Sequence, residues 1–535
     1  MMKRLRLPLF LCVVVTFALA GGPVHGASRT KAGIDLAQVP KWSRADLDFF
    51  LHGSMSTEVV PERLLQTFLA TYPDLFPNKD LSNFGFLPDA AAGLPIGVSR
   101  RDVPHLAGLS SIGINCAACH VGEINFRANA KPLRVLGMTS HFDAEAFFGA
   151  VAVATFRTSD PANMKRFLGN YLLASDPVVG ARAQEILATE WGRQEEKIIA
   201  AIAADPFGSK DLEAGALHNL VASDVHLDGK LVESGMPLAP VVHSLLKLLH
   251  NMRASLHIPD QPPDKAPPAS GPGRNDAFGL LSAALFGQPQ PYTPVKYGLV
   301  WNLEHRRWVH WDGNTQSPIG RNLLASLGLG APLIGKHADL NFADVQRQTD
   351  LGEGIHAPRY PLAVNARAAK AGARHFQAIC ASCHDVPEGD QRLHTVDEVG
   401  TDSLRAKLFT QHQADLFNAF LSSLETPGYT PSKTPGLRST QKYWAPSLAG
   451  VWARSPYLHD GSVRTLSQLL TPPADRAKNF HRGSHIYDPV QMGYTDEGGY
   501  VFDTTSPGNG NAGHDYGTAL SDAEKRELIE YLKTL

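Results

Sequence analysis

The sequence predicts a mainly α-helical protein of two domains, with long loops and an additional helical insertion. Three observations support this prediction. The chain has 535 residues, which is more than one hydrophobic core usually organises. Apolar side chains recur at helical spacing over several long segments. A five-residue pattern, C-x-x-C-H, occurs at residues 116–120 and again at 380–384, far enough apart to lie in different domains.

The repeated pattern is the attachment signature of c-type haem. Two thiols at this spacing can each bond one vinyl group of the macrocycle, and the adjacent imidazole can then bind the iron. We therefore predict two covalently bound haems c in two cytochrome c-like domains. The attachment residues would be Cys116, Cys119, Cys380 and Cys383, and the iron ligands His120 and His384. A redox C-x-x-C pair or half of a zinc site is the alternative.

Residues 1–26 are predicted to be a signal peptide. Three of the first six residues are basic, and the apolar run of residues 7–20 is shorter than the ~20 residues of a membrane span. Small residues precede possible cleavage points after Ala20 and Gly26. An uncleaved anchor is the alternative. Cys12 would leave with the leader, so the haem motifs would use every remaining cysteine. We expect a periplasmic or secreted protein with no membrane span after cleavage.

The composition is that of a globular protein, with 43% hydrophobic and 19% charged residues. The net charge is −2, and removal of Lys3, Arg4 and Arg6 with the leader would make it −5. Because no basic stripe is present, we expect no nucleic-acid partner.

The predicted N-terminal haem domain covers residues 27–350. Apolar periodicity predicts helices within residues 41–75, 144–204, 234–253 and 274–286. Residues 76–101 are rich in Pro, Gly and Asn and predict a loop, and residues 103–114 form a poor helix ahead of the first motif. Residues of about 144–258 constitute the helical insertion. The Pro-rich segment 259–273 predicts a surface loop or linker.

Residues 360–535 predict a cytochrome c domain. A helix leads into the second motif, where Gly372 would let another helix approach and Phe376 would cover the haem edge. The terminal helix begins with a capping box made by Ser521 and Glu524. Two long loops between these helices, residues 424–437 and 471–517, would wrap the haem.

One run in this domain resembles the bacterial di-haem cytochrome c peroxidase superfamily. It is Pro-Tyr-Leu-His-Asp-Gly-Ser-Val-x-Thr-Leu at residues 456–466. The Trp-Asp-Gly of residues 311–313 is similar to the segment that follows the first haem motif in that superfamily. The sequence looks closest to the long-chain branch that includes the rubber oxygenases. The runs that carry this likeness are Gly-Arg-Asn-Asp-Ala-Phe at 273–278, Tyr-Asp-Pro at 487–489, Phe-Asp-Thr at 502–504, Gly-Asn at 508–509 and Asn-Ala-Gly-His-Asp-Tyr-Gly at 511–517.

The resemblance implies a division of labour between the haems. The haem held by His120 would perform peroxide or dioxygen chemistry, and that held by His384 would be six-coordinate and pass electrons, with Trp311 between them. In the rubber-oxygenase-like branch a late histidine is the sixth ligand, which favours His514 here. His459, Met492 and Tyr443 are the alternatives.

Heterolytic cleavage of peroxide needs a group that moves a proton between the two oxygens. Residues 314–328 contain no Asp or Glu, and Gln316 and Arg321 are their only sizeable polar side chains. We predict Trp311 and Arg321 as catalytic residues. An apolar pocket of this kind suits an oxygenase better than an efficient peroxidase, unless a carboxylate such as Glu304 or Asp276 reaches the site.

Three functions follow as hypotheses. The first is a haem-dependent oxidoreductase that acts on peroxide, or on dioxygen and an apolar alkene. The second is a pure electron carrier, and the third is a gas sensor. The expected partner is a small redox protein, with ferredoxin-like and copper proteins equally open.

Overall fold

The computed structural model describes residues 33–535 except 107, 128–130, 174–176, 211–234, 236, 259–269, 388 and 433–435. The predicted signal peptide, residues 1–26, lies outside the described residues, as does most of the Pro-rich segment 259–273. The described end of that segment, residues 270–273, is mostly buried and is therefore not the surface loop that was expected. Over the described part of the chain, no helix has the length and apolar character that crossing a membrane requires.

The fold is mixed α/β, so the prediction of a mainly α protein is right about the helices and misses the strands. The strands are two to six residues long, too short to give a clear alternating pattern. The helices are α1 Arg44–His52, α2 Glu62–Thr71, α3 Cys116–His120, α4 Ala144–Thr158, α5 Pro161–Leu173, α6 Pro177–Ala204, α7 Leu238–Ser255, α8 Ala277–Phe286, α9 Pro318–Gly328, α10 Phe342–Glu353, α11 Ala366–Ile379, α12 Ala381–His384, α13 Val396–Val399, α14 Leu404–Leu408, α15 Gln411–Ser423, α16 Leu466–Leu469 and α17 Asp522–Leu532. The strands are β1 Val60–Pro61, β2 Val98–Val103, β3 Leu109–Ile114, β4 Val121–Ile124, β5 Leu133–Leu136, β6 Arg274–Asn275, β7 Val295–Lys296, β8 Leu333–Ile334, β9 His337–Ala338, β10 Leu393–Thr395, β11 Lys442–Trp444, β12 Asn479–Arg482, β13 Tyr487–Asp488, β14 Gly493–Tyr494 and β15 Tyr500–Asp503.

The largest described sheet is antiparallel with the order β1-β3-β2, and Val98 lies opposite Ile114 in it. The other described sheets have two strands each. The central strand β3 leads directly into α3, so the first haem motif follows a strand. This agrees with the prediction that residues 103–114 are not helical.

The N-terminal helices surround a first core cluster, which includes the buried residues Phe68, Val151, Phe167, Trp191 and Leu249. Helices α4 to α7 confirm the predicted helical stretches. The stretch 41–75, predicted as helical, is helical only in part, because α1 ends at His52 and α2 begins only after the short strand β1.

A second core cluster joins the two halves of the chain. It contains Ile124, Leu136 and Trp301 from the predicted N-terminal domain and Trp452 and Tyr487 from the predicted C-terminal domain. The predicted domains 27–350 and 360–535 therefore share a core, and their boundaries stay predictions. A third core cluster contains, among others, Leu281, Leu323, Leu324, Leu327 and Phe417.

Helices α11 and α17 cross at Gly372. A Cβ atom at this position would lie 1.9 Å from the carbonyl oxygen of Glu527, so only glycine lets the two backbones come this close. Phe376, one turn later, packs against Tyr531 with ring centroids 5.1 Å apart. The capping box of Ser521 and Glu524 is present at the start of α17. These features confirm the predicted helices at both ends of the C-terminal half.

We expect Gly372→Ala to lower the free energy of unfolding by about 1–3 kcal/mol, because the added methyl group forces the two helices apart. Gly192→Ala is the matched control. Gly192 lies within α6 and a Cβ there meets nothing within 4 Å, so alanine should raise stability by up to about 1 kcal/mol. Urea denaturation followed by circular dichroism measures both changes. Equal effects of the two substitutions would contradict the close crossing.

Candidate haem-binding sites

The second motif follows α11 without a break, and α12 carries its histidine. The Nδ1–H of His384 donates to the carbonyl of Pro446 at 2.8 Å, which leaves Nε2 free to bind a metal. Burial is the main reason that the pKa of His384 falls to about 4. The imidazole is therefore neutral near pH 7, as a metal ligand must be.

His514 lies opposite His384. The two ring centroids are 6.3 Å apart and the ring planes make an angle of 49°. An iron held between two imidazole nitrogens at about 2 Å each would separate the ring centres by roughly 6 Å. Burial also lowers the pKa of His514. The two side chains thus fit the axial positions of one haem.

Arg476 holds the loop that presents His514. Its Nη1 donates to the carbonyls of Asn511 and Gly513, both at 2.7 Å, and its Nη2 donates to that of His514 at 3.1 Å. Gly513 has a φ of +67°, and a Cβ there would lie 2.2 Å from the carbonyl carbon of Gly400. The loop is therefore fixed from two sides. Arg476 was missed from the sequence, because a side chain that binds only carbonyl oxygens has no partner with a recognisable residue type.

A cavity opens between these histidines. Cys380 and Cys383 line it beside the two imidazoles. Much of the remaining lining is apolar, and it includes Leu299, Ile379, Leu448, Leu466, Leu469 and Leu528. An apolar slot with two thiols at its edge suits a covalently attached porphyrin.

The alternative sixth ligands are placed differently. His459 and Tyr443 line the same cavity, but they are bonded to each other, with 3.0 Å between the Tyr443 hydroxyl and His459 Nε2. Met492 is fully buried in the second core cluster, where its sulfur lies 3.8 Å from the Tyr487 hydroxyl. His514 is therefore the candidate that directly faces His384.

Trp311 also lines this cavity. Its indole N–H donates to the carbonyl of Lys296 at 3.0 Å, and the Lys296 Nζ lies 5.3 Å from the centre of the Trp311 ring. The same Nζ donates to the carbonyls of Arg454 and Pro456, both at 2.5 Å. Trp311 is thus fixed in the wall of the second site beside the buried amine of Lys296, whose pKa burial lowers well below its usual value.

The first motif forms the short helix α3 between strands β3 and β4. Asn115 caps this helix by accepting the backbone N–H of Ala117 at 2.9 Å. Its side-chain NH₂ donates to the carbonyl of Gly53 at 2.9 Å and thereby ties α3 to the end of α1. Burial, followed by the positive charge of Arg321, lowers the pKa of His120 to about 4.

The first motif stands where the three core clusters meet. Cys119 packs against the first cluster, and Cys116 packs against the second and third. The Cys116 sulfur lies 3.3 Å from the sulfur of Met55. The surroundings of this motif are therefore mostly apolar, as the composition of residues 314–328 predicts.

Arg321 is paired with a carboxylate from another helix. Its Nη2 lies 3.1 Å from Oε1 of Glu353 in α10. Neither carboxylate considered from the sequence is poised for proton transfer. Asp276 is buried and caps α8 through the N–H of Gly279 at 3.0 Å, and Glu304 is exposed beside His305.

His310 was not singled out from the sequence. Its ring meets Phe278 edge-on with the centroids 5.4 Å apart. Phe278 in turn packs against the third core cluster, as Cys116 does. The only signal in the sequence is its place beside Trp311.

The four described cysteines form no disulfide. Within the described ranges, no three His, Cys, Asp or Glu side chains converge to hold a metal ion. The zinc interpretation of the motifs therefore has no structural support there.

Helix α12, which carries the second motif, follows α11 directly, and the imidazole of His514 faces that of His384. This arrangement is typical of a c-type cytochrome site. A model of the RoxA-like, cytochrome c-like family matches residues 442–481, a segment that contains His459 and Arg476. A cytochrome c-like domain is therefore present, and covalently bound haem c is its implied cofactor.

The chain is also similar to two proteins of Sinorhizobium fredii. One, the uncharacterized protein y4iJ, is 25% identical over 94% of this chain and 95% of its own length. The other, the uncharacterized protein y4iM, is 29% identical over 51% of this chain and 72% of its own length. The first similarity extends over nearly the whole chain, beyond the cytochrome c-like segment.

We expect Arg476→Ala to release the loop that carries His514, because this one guanidinium binds three carbonyl groups of the loop and is itself anchored to the carbonyl of Leu469. Hydrogen exchange with mass spectrometry should show exchange about tenfold faster or more at residues 511–514. Arg367→Ala, at an exposed position on α11, is the control and should leave this exchange unchanged. Wild-type protection in Arg476→Ala would show that other contacts hold the loop.

Proposed function

We propose that this protein is an exported, periplasmic di-haem c-type cytochrome that works as an oxidoreductase of the di-haem cytochrome c peroxidase type. Cys116, Cys119 and His120 would hold one haem, and Cys380, Cys383, His384 and His514 the other. Haem at the first site would supply the iron that exchanges electrons with peroxide or dioxygen. The second site would pass electrons from a small redox protein.

The observation that carries this proposal is the different surroundings of the two motif histidines. His514 faces His384 at axial-ligand distance. Among the described residues, no imidazole stacks on His120 in this way. The ring beside His120 is that of Tyr297, edge-on with centroids 6.3 Å apart, and the Tyr297 hydroxyl is engaged by the carbonyl of Phe142 at 3.0 Å. One site thus suits electron transfer, while the other leaves a position for a substrate.

The chain has a task at each site beyond holding the cofactor. The Pro446 carbonyl orients the His384 ring and makes Nε2 the binding atom. The apolar clusters around Cys116 exclude water from the first site. Trp311 lies in the wall of the second site. Its neighbour in the chain, His310, contacts the surroundings of the first site. Trp311 therefore offers an aromatic ring between the sites.

A rubber-oxygenase-like dioxygenase is the second candidate. The apolar surroundings of the first motif favour an apolar alkene as its substrate, and the RoxA-like match at residues 442–481 agrees with this branch.

We expect His514→Ala to remove the low-spin EPR signal of the second ferric haem and replace it with a high-spin signal, because one axial ligand is lost. His481→Ala is the control. His481 is half exposed and bonded to Asp496, so its loss should leave the spectrum unchanged. Loss of the low-spin signal in His459→Ala instead would show that the ligand was assigned wrongly.

Activity of the wild-type protein and of His120→Ala tests the function. Intact mass should first show two attached haems in both proteins, because the thioether residues are retained. Removing the iron ligand should lower peroxide turnover with a reduced donor by about 100-fold or more, while the second haem keeps its low-spin signal.

Two low-spin signals and no turnover in the wild-type protein would leave only an electron carrier. Cleavage of polyisoprene without peroxide turnover would favour the oxygenase.

A further inference from the structure

His310 and Trp311 are neighbours in the chain but contact different sites. His310 has a φ of +72°, a left-handed conformation that is uncommon for a residue with a side chain. Trp311 lines the cavity of His384. His310 meets Phe278, which shares the third core cluster with Cys116. The pKa of His310 falls to about 3, first because the ring is buried and then because the guanidinium of Arg321 is near, and His120 also lies close enough to affect it. These contacts place His310 beside the first motif.

The neighbours of His310 determine which of its nitrogens carries the proton. Nδ1 lies 2.8 Å from Oδ1 of Asn314, and that oxygen also accepts the Thr315 hydroxyl at 2.8 Å. Asn314 and Thr315 are both buried. Because Oδ1 only accepts, Nδ1 of a neutral His310 must donate. Nε2 is then left with a lone pair and no proton.

The other polar groups near the first motif are unsuited to accept a proton. Arg321 has no lone pair to offer at neutral pH, and Glu353 is neutralised by pairing with Arg321. Asp276 caps a helix. His310 combines an Nε2 lone pair, which the hydrogen bond of Nδ1 leaves unprotonated, with a place beside the first motif.

We propose that Nε2 of His310 is the proton acceptor of the first haem site. This inference rests on the proposed function and deepens it. The near O–H proton of hydrogen peroxide would pass to Nε2 and then to the far oxygen, so that the O–O bond breaks and the far oxygen leaves as water. Two electrons from the small redox protein and two protons from solvent convert the other oxygen to a second water. An alkene has no such proton, so a base would serve no purpose for it.

Cyanide is a suitable probe, because hydrogen cyanide must lose a proton when it binds a ferric haem. Cyanide association is measured by stopped-flow absorbance at neutral pH on the holoprotein and on His310→Phe. We expect association about 100-fold slower in the variant, since general-base assistance of this kind contributes 10²–10⁴-fold. His305→Phe is the matched control. His305 is exposed on the same segment and should bind cyanide like wild type.

EPR of the same samples checks that His310→Phe is intact, because the low-spin signal of the second haem should persist. Unchanged cyanide association in His310→Phe would overturn the role of His310 and leave the proposed function standing. A new high-spin signal in place of a low-spin signal of the first haem would also overturn it, because His310 would then be an iron ligand. A wild-type protein that binds no cyanide would overturn the proposed function together with this inference.

Discussion

The facing pair of His384 and His514 is the constraint on which the C-terminal half of the protein depends. A metal ligand must present one defined nitrogen. A backbone carbonyl orients the ring of His384, whereas for His514 it is the backbone of its loop that is held in place. Pro446 accepts from His384, and Arg476 holds the loop of His514 through carbonyl groups. The close crossing of α11 and α17 at Gly372 then places the second motif against the same core. The long segment 471–517, which includes the short strands β12 to β15, brings His514 back to the second motif.

The two motifs are embedded in different kinds of structure. The second follows a regular helix and lies in a cavity whose wall includes Arg454, a buried guanidinium whose pKa burial lowers to about 9 and which is still charged near pH 7. The first lies between two strands, where three core clusters meet. A buried cation stabilises negative charge nearby, whereas an apolar junction favours neutral species. The same five-residue pattern therefore has different surroundings at its two positions, and this asymmetry is what the proposed division of labour needs.

Some features could be predicted from the sequence because they are local. The spacing of C-x-x-C-H, the capping box at Ser521 and the glycine at the helix crossing each act over a few residues. The short strands could not be predicted, since two-residue pairings depend on which segment lies alongside. The Arg476 contacts and the pairing of Arg321 with Glu353 join distant segments of the chain. Asp276 was considered as a catalytic carboxylate, but its position just before α8 makes it a helix cap instead, which is a common role for such a residue.

The left-handed turn at His310 has a consequence for how this segment can evolve. Trp311 lines the cavity of His384 and the adjacent His310 packs against Phe278, so the length of the turn between Trp308 and Gly313 is constrained more strictly than most of its residue types. Inserting or deleting one residue would turn the indole of Trp311 away from the cavity of His384. It would also separate the imidazole of His310 from the side-chain amide of Asn314. Among relatives, this stretch should therefore tolerate exchanges of side chains but reject gaps.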